Sequence, residues 1–183
     1  MDPPCIVIDA GRGRVVSAVL VTESSFTVKT PSAVPAVRSV VLDTNVVLDV
    51  FVFDDVFTRP LAQALRSGSL TAWADRHTLK ELALVLAYPW FKLTADAQRA
   101  VRDAYGALVR VADGEGSPVE LPPCRDRDDQ KFLELTARAG AAWLVSKDQR
   151  VLSMGGGRRL PFEVLSPRRA SQVLEAEGVA RSG

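Results

Sequence analysis

The sequence predicts an α/β fold, an α/β/α sandwich in which a central parallel sheet carries helices on both faces. Three observations predict it. From residue 37 onward, short apolar runs alternate with segments whose apolar residues recur at helical spacing. The first of those runs, VRSVVLD, reads as a strand buried on both faces, as parallel strands are. Acidic residues gather just past the ends of the runs, at the edge where open α/β sheets bind ligands.

The elements follow in order. Residues 5–8 (CIVI) and 15–21 (VVSAVLV) are β-branched runs split by GRGR and suggest a hairpin. Residues 22–36 are rich in Ser, Thr and Pro and read as a linker, so 1–36 is taken as an N-terminal extension. The main domain is expected over 37–178, with 179–183 as a tail. VRSVVLD (37–43) is its first strand, and TNVVLDVF (44–51) starts a helix with Thr44 or Asn45 as N-cap. RPLAQALRSG (59–68) is a helix with Pro60 in its first turn and Gly68 past its end. LTAWA (70–74) is a strand. Residues 75–88 form a helix in which Leu79, Leu82, Val85 and Leu86 share a face, and Pro89 stops it. Residues 94–110 form a helix capped by Thr94, and a strand is expected over 109–113. Residues 115–125 are loop. Residues 128–140 are a helix ending at Gly140, 141–146 a strand, 161–167 a last strand and 168–178 a last helix.

Composition narrows the function classes. The chain has 183 residues, 47 % of them hydrophobic, which suits one globular domain with a core plus an appended segment. The net charge of +1 announces no overall basic field, although a local patch binds phosphate on a neutral protein. The two cysteines, Cys5 and Cys124, have neither metal-ligand spacing nor a disulfide pattern, so a cytoplasmic setting is expected. No apolar run approaches the roughly 20 residues of a membrane span. MDPPCIVIDAGRG lacks the basic start of a signal peptide.

Four strand-to-helix junctions each supply an acid to one sheet edge. Asp43 ends the first strand. Glu81 lies in the helix after the second. Asp126, Asp128 and Asp129 crowd the start of the helix after the third, and Asp148 follows the fourth. Carboxylates within about 4–6 Å of one another repel unless a cation compensates. Oxygen ligands without nearby Cys or His suit Mg²⁺ or Mn²⁺. Each acid also has an ordinary reading. Asp43 is an equally good helix cap, Glu81 a solvated helix face, Asp128 and Asp129 dipole-favoured helix-start acids, and Asp148 a turn residue. Taken together they indicate an acidic metal site.

VVLDTNVVLDVF, then HTLKEL, then CRDRDDQKFLELTARAGAAWLVSKD resembles the PIN-domain ribonucleases over about residues 38–170. It is most similar to the bacterial branch described as the toxin component of toxin–antitoxin pairs (VapC-like). The resemblance implies a PIN-like fold and a Mg²⁺- or Mn²⁺-dependent endoribonuclease. It carries the catalytic acids onto Asp43, Glu81, Asp129 and Asp148. Asp43, Asp129 and Asp148 would bind metal, with Asp126 as an alternative ligand or as support for one. Thr44, Asn45 and Ser146 take supporting places. Lys131 and Lys147, with Arg125 and Arg127, flank the acids and are candidates to steer phosphate. Gln130 departs from the Asn or Asp common at its position. RNA as substrate, a small antitoxin covering the acidic edge, and a homodimer through residues 76–110 are further implications. The alternatives are an inactive PIN-like RNA- or protein-binding module, a metal-dependent phosphatase and a DNA nuclease.

The remaining features read as structural. His77, the single histidine, is a helix-start polar residue. Trp73, Trp90 and Trp143 are expected to pack; an exposed one could stack on a base, though nothing in the sequence indicates it. IDAGRGR (8–14) lacks a dinucleotide fingerprint and reads as a turn, and MGGGRR (154–159) as a flexible loop. Asp49, about 9 Å further along the helix axis from the level of Asp43, reads as a helix-face acid.

Overall fold

A computed structural model describes residues 38–156 and 159–182, with side chains through Gly178. The hairpin and linker expected within 1–36, the IDAGRGR turn, and Gly157 and Arg158 of the glycine-rich loop lie outside the described residues. Five strands form one parallel sheet: β1 (Arg38–Leu42), β2 (Leu70–Ala74), β3 (Val109–Val111), β4 (Trp143–Val145) and β5 (Glu163–Leu165). The helices are α1 (Thr44–Phe51), α2 (Arg59–Arg66), α3 (Arg76–Leu86), α4 (Ala95–Gly106), α5 (Gln130–Arg138), α6 (Gln149–Leu152) and α7 (Pro167–Ser182). The order of strands and helices is the one the sequence patterns predict. The ends differ by a few residues, as at α4, which stops at Gly106, and α7, which runs past Gly178 to Ser182.

The strands lie in the order β3-β2-β1-β4-β5. The chain winds outward from β1 to β2 and β3, then returns to place β4 on the other side of β1. Val40, Val41 and Leu42 pair with Trp143, Leu144 and Val145 there. The order therefore reverses between β1 and β4, which is where open α/β sheets form a crevice.

Alternation along the strands sorts the core into two layers. Val40, Leu42, Trp143 and Val145 face one side with Val46 and Val47 of α1, Leu61 of α2, Leu82 and Leu86 of α3, Tyr105 of α4 and Ala170 of α7. Val41 and Leu144 face the other, with Phe132, Leu133 and Leu135 of α5 and Val151 of α6. The expected apolar face of α3 is this contact, since Leu79 and Val85 also pack on the first layer. Gly68 (φ 73°) and Gly140 (φ 58°) end α2 and α5 in the left-handed conformation that glycine adopts without steric cost.

Asp75 begins α3 with a reciprocal cap. Its carboxylate accepts the Thr78 N–H at 2.8 Å, and the Thr78 hydroxyl accepts the Asp75 N–H at 3.0 Å. Arg138, at the end of α5, donates to the same carboxylate at 2.6 Å and to the Gly116 carbonyl at 2.7 Å. Burial pushes the Asp75 carboxyl up, but the Thr78 and Arg138 donors outweigh it and hold it below its ordinary value. This pair fastens the start of α3, which carries Glu81, to α5, which carries Lys131.

Arg138→Ala leaves the Asp75 charge buried with fewer partners. It should destabilise the fold by about 3 kcal/mol, read as a lower urea midpoint at pH 7. Because the folded-state value is depressed, the stabilisation is present at neutral pH and fades as pH falls below about 4. An unchanged midpoint would show that the pair contributes nothing net.

Candidate active site

The site is built where β1 and β4 end side by side. Asp43 follows Leu42 and is only 4 % exposed. It, rather than Thr44 or Asn45, is the N-cap of α1, because its extended backbone lets its carboxylate accept the Asn45 N–H at 3.3 Å. Ser146 follows Val145 and is fully buried. Its hydroxyl donates to Asp43 Oδ2 at 2.6 Å and accepts the Asp148 N–H at 3.0 Å. Asp148 in turn caps α6 by accepting the Arg150 N–H at 2.6 Å. One hydroxyl thus links the acid after β1 to the backbone of the acid after β4.

Glu81 arrives from α3. It is half-buried rather than on a solvated face, because the Thr44 hydroxyl donates to its Oε1 at 2.6 Å and Lys131 pairs with its Oε2. Asp129 precedes α5 and makes no side-chain capping bond, so its carboxylate is not used by the helix it begins. The loop before it is drawn closed by Gln130, whose side-chain oxygen accepts the Cys124 N–H at 2.6 Å. Asp126 accepts from Arg150 at 2.6 Å and from the Asp128 N–H at 3.1 Å, while Asp128 itself is exposed.

The electrostatics tie these acids together. The Asp43 carboxyl is raised above its ordinary value, first by burial and further by the charges of Glu81 and Asp148, against the donors Ser146 and Asn45. Asp129 is pushed up to about 6, first by burial and then by Asp43, Asp148, Asp126 and Glu81. Four other carboxylates therefore act on Asp129 through space.

A cation is the usual remedy for such crowding, and an all-oxygen donor set suits Mg²⁺ or Mn²⁺. The residues fit that chemistry. Among the described residues no three His, Cys, Asp or Glu side chains converge closely enough to enclose an ion.

Several placements differ from the sequence reading. Lys131 and Lys147 are each held in an ion pair: Lys131 with Glu81, and Lys147 with Asp49 at 2.8 Å. Asp49 lies on α1 as expected, but on a buried part of it, 6 % exposed and paired with Lys147. Trp143 is buried, but Trp90 does not pack and is 84 % exposed. His77 is exposed at the start of α3 beside Arg76 and Glu115. Arg125 and Arg127 are exposed. Sequence reasoning overlooked Gln130 and Arg150 as the groups that hold the acidic loop. Only the closeness of each to an acid hinted at it.

A family model described as the PIN domain matches residues 39–150. The crystal structure of PAE2754 from Pyrobaculum aerophilum is similar at a TM-score of 0.48 and 13 % identity, covering 77 % of this chain and 98 % of that one. No curated protein matches. Among the described residues no helix is long and apolar enough to cross a membrane.

The raised Asp129 value sets a pH dependence. A carboxyl with a raised folded-state value stabilises the fold at low pH and loses that contribution as pH rises through about 6. A divalent cation competes with that proton. Millimolar Mn²⁺ should therefore raise the melting temperature at pH 7.5, with the shift shrinking towards zero by pH 5. An equal shift at both pH values would contradict the assignment of Asp129 to the cation site. Ser146→Ala removes a hydrogen bond to a buried carboxylate and should cost about 1.5–3 kcal/mol in chemical denaturation. A variant as stable as the parent would remove Ser146 from its bridging role.

Proposed function

This chain belongs to the PIN-domain family, whose members are generally nucleases, and on that premise we propose that it is a Mg²⁺- or Mn²⁺-dependent endoribonuclease and the toxin of a toxin–antitoxin pair. The observation that carries the reading is the crowding at Asp129, where burial and four neighbouring carboxylates favour a proton, or a cation in its place. Asp43, Asp129 and Asp148 would hold the ion, with Asp126 as an alternative ligand. Bound there, the ion would supply a water of lowered pKa and offset negative charge growing on phosphorus.

The chain's own groups prepare the site. Ser146 fixes the Asp43 carboxylate by its 2.6 Å bond. Thr44 holds Glu81, the acid that reaches the edge from α3. Asn45 is exposed beside Asp43 and presents an amide to a phosphate or a ribose hydroxyl. Lys131 and Lys147, paired with Glu81 and Asp49, reduce the negative field that a phosphodiester must approach. Attack by water with cleavage of the P–O3′ bond and departure of the 3′-oxygen would leave a 5′-phosphate and a 3′-hydroxyl. The likeness of CRDRDDQKFL and WLVSKD to VapC-like toxins supports the toxin role and a small antitoxin as partner.

Asp43→Asn should lower Mg²⁺-dependent cleavage of single-stranded RNA by about two orders of magnitude or more, the scale of a lost electrostatic stabiliser. The fold should survive, because the substitution removes a repelled charge and keeps an acceptor for Ser146. Parental cleavage by this variant would refute the site. DNA and a phosphomonoester assayed alongside should turn over far more slowly than RNA; equal or faster turnover of either would refute the ribonuclease reading.

A further inference from the structure

Beside the acidic edge lies a cleft of about 400 Å³ that Asp148 and Asn45 line together with Phe53, Trp90, Phe91 and Lys147. Its aromatic wall is assembled from two separate segments. Phe53 follows α1, and Trp90 and Phe91 belong to a 3₁₀ turn, Pro89–Phe91, between α3 and α4. The Phe53 and Phe91 rings meet at 5.9 Å between centroids. Residues with left-handed backbone conformations follow both segments, Asp54 at φ 46° and Lys92 at φ 50°. Aspartate adopts such a conformation more readily than most residues, whereas lysine holds it only where its surroundings require it. The wall is therefore a shaped feature, yet Phe53 is 55 % exposed and Trp90 84 % exposed.

An indole left this open gains little from the fold. It offers a flat face beside the residues that would bind a phosphodiester. We propose that Trp90 is a stacking platform for an unpaired nucleobase of a single-stranded nucleic acid, one whose neighbouring phosphate lies at the Asp43–Asp148 edge; this rests on the nuclease reading above. Three features favour a base over a purely apolar partner. The cleft is continuous with Asp148, its lining includes the Asn45 amide and the Lys147 ammonium paired with Asp49, and its most exposed large apolar side chain is the Trp90 indole. Base–aromatic stacking tolerates any base, so Trp90 confers a requirement for unpaired nucleotides rather than a sequence. A duplex keeps its base faces stacked inside and has none to offer.

Trp90 supplies its own reporter, since Trp143 is 1 % exposed and Trp73 half-buried. The test titrates the full chain, with Ca²⁺ in place of Mg²⁺, against a ten-nucleotide oligoadenylate and against the same strand carrying abasic sites. The intact strand should quench the indole emission, the abasic strand should not, and Trp90→Phe should abolish the quenching. Trp90→Ala should raise Kd by about fivefold or more, the lower end of what one stacked base contributes. The side chain is exposed, so the fold should be unaffected, which the melting temperature checks. Unchanged affinity in Trp90→Ala, or equal quenching by the abasic strand, would overturn the platform and leave the nuclease reading standing if the parent still cleaves RNA. A parent that binds no single strand at all would overturn both. A sedimentation coefficient that rises with protein concentration in the parent but not in Trp90→Ala, with oligonucleotide affinity unchanged, would assign the face to self-association and overturn the platform.

Discussion

The Ser146 hydroxyl spans the gap between the first and fourth strands. It gives its proton to the Asp43 carboxylate and takes the Asp148 amide hydrogen, in a fully buried position. Much of the site depends on this bridge. Asp43 cannot stay buried at 4 % exposure without a donor, and Asp148 cannot begin α6 where it does unless the chain turns directly after Ser146. The bridge exists because the sheet order reverses between β1 and β4. Adjacent parallel strands end at one level, and neither has a crossover helix lying over the other's end.

Around that bridge, helix starts and acids coincide. Asp43 caps α1 and Asp148 caps α6, so each is held by backbone N–H groups and favoured by the helix dipole. Asp129 precedes α5 but leaves its carboxylate uncommitted and bears the charges of the others. Part of the repulsion is relieved internally by Lys131 on Glu81, Lys147 on Asp49 and Arg150 on Asp126. None of these cations contacts Asp43 or Asp129, the two site acids whose carboxyls are pushed up. The unrelieved charge lies where the proposed chemistry needs a metal.

The element order was legible in the sequence because apolar periodicity and glycine stops report burial and backbone conformation directly. RSVVL, LTAWA and the Leu79–Leu82–Val85–Leu86 face all lie where their patterns put them. The four acids could be assigned to one edge because the end of every parallel strand faces the same way. What stayed hidden was the pairing. Lys147 and Asp49 are 98 positions apart, and Ser146 and Asp43 are 103 apart, so no local pattern could reveal either contact. Trp90 was misread for a related reason. Composition places tryptophans in cores, and only the tertiary arrangement shows that the Pro89–Phe91 turn holds this one outward.

In the proposed site, acids from separate elements share one divalent cation at the β1–β4 edge. Crystals grown at neutral pH and soaked in Mn²⁺ test it most directly through anomalous difference density. A peak is expected in contact with carboxylate oxygens of Asp43 and of at least one of Asp129 and Asp148. Density confined to other surface acids, or none at this edge at millimolar Mn²⁺, would contradict it.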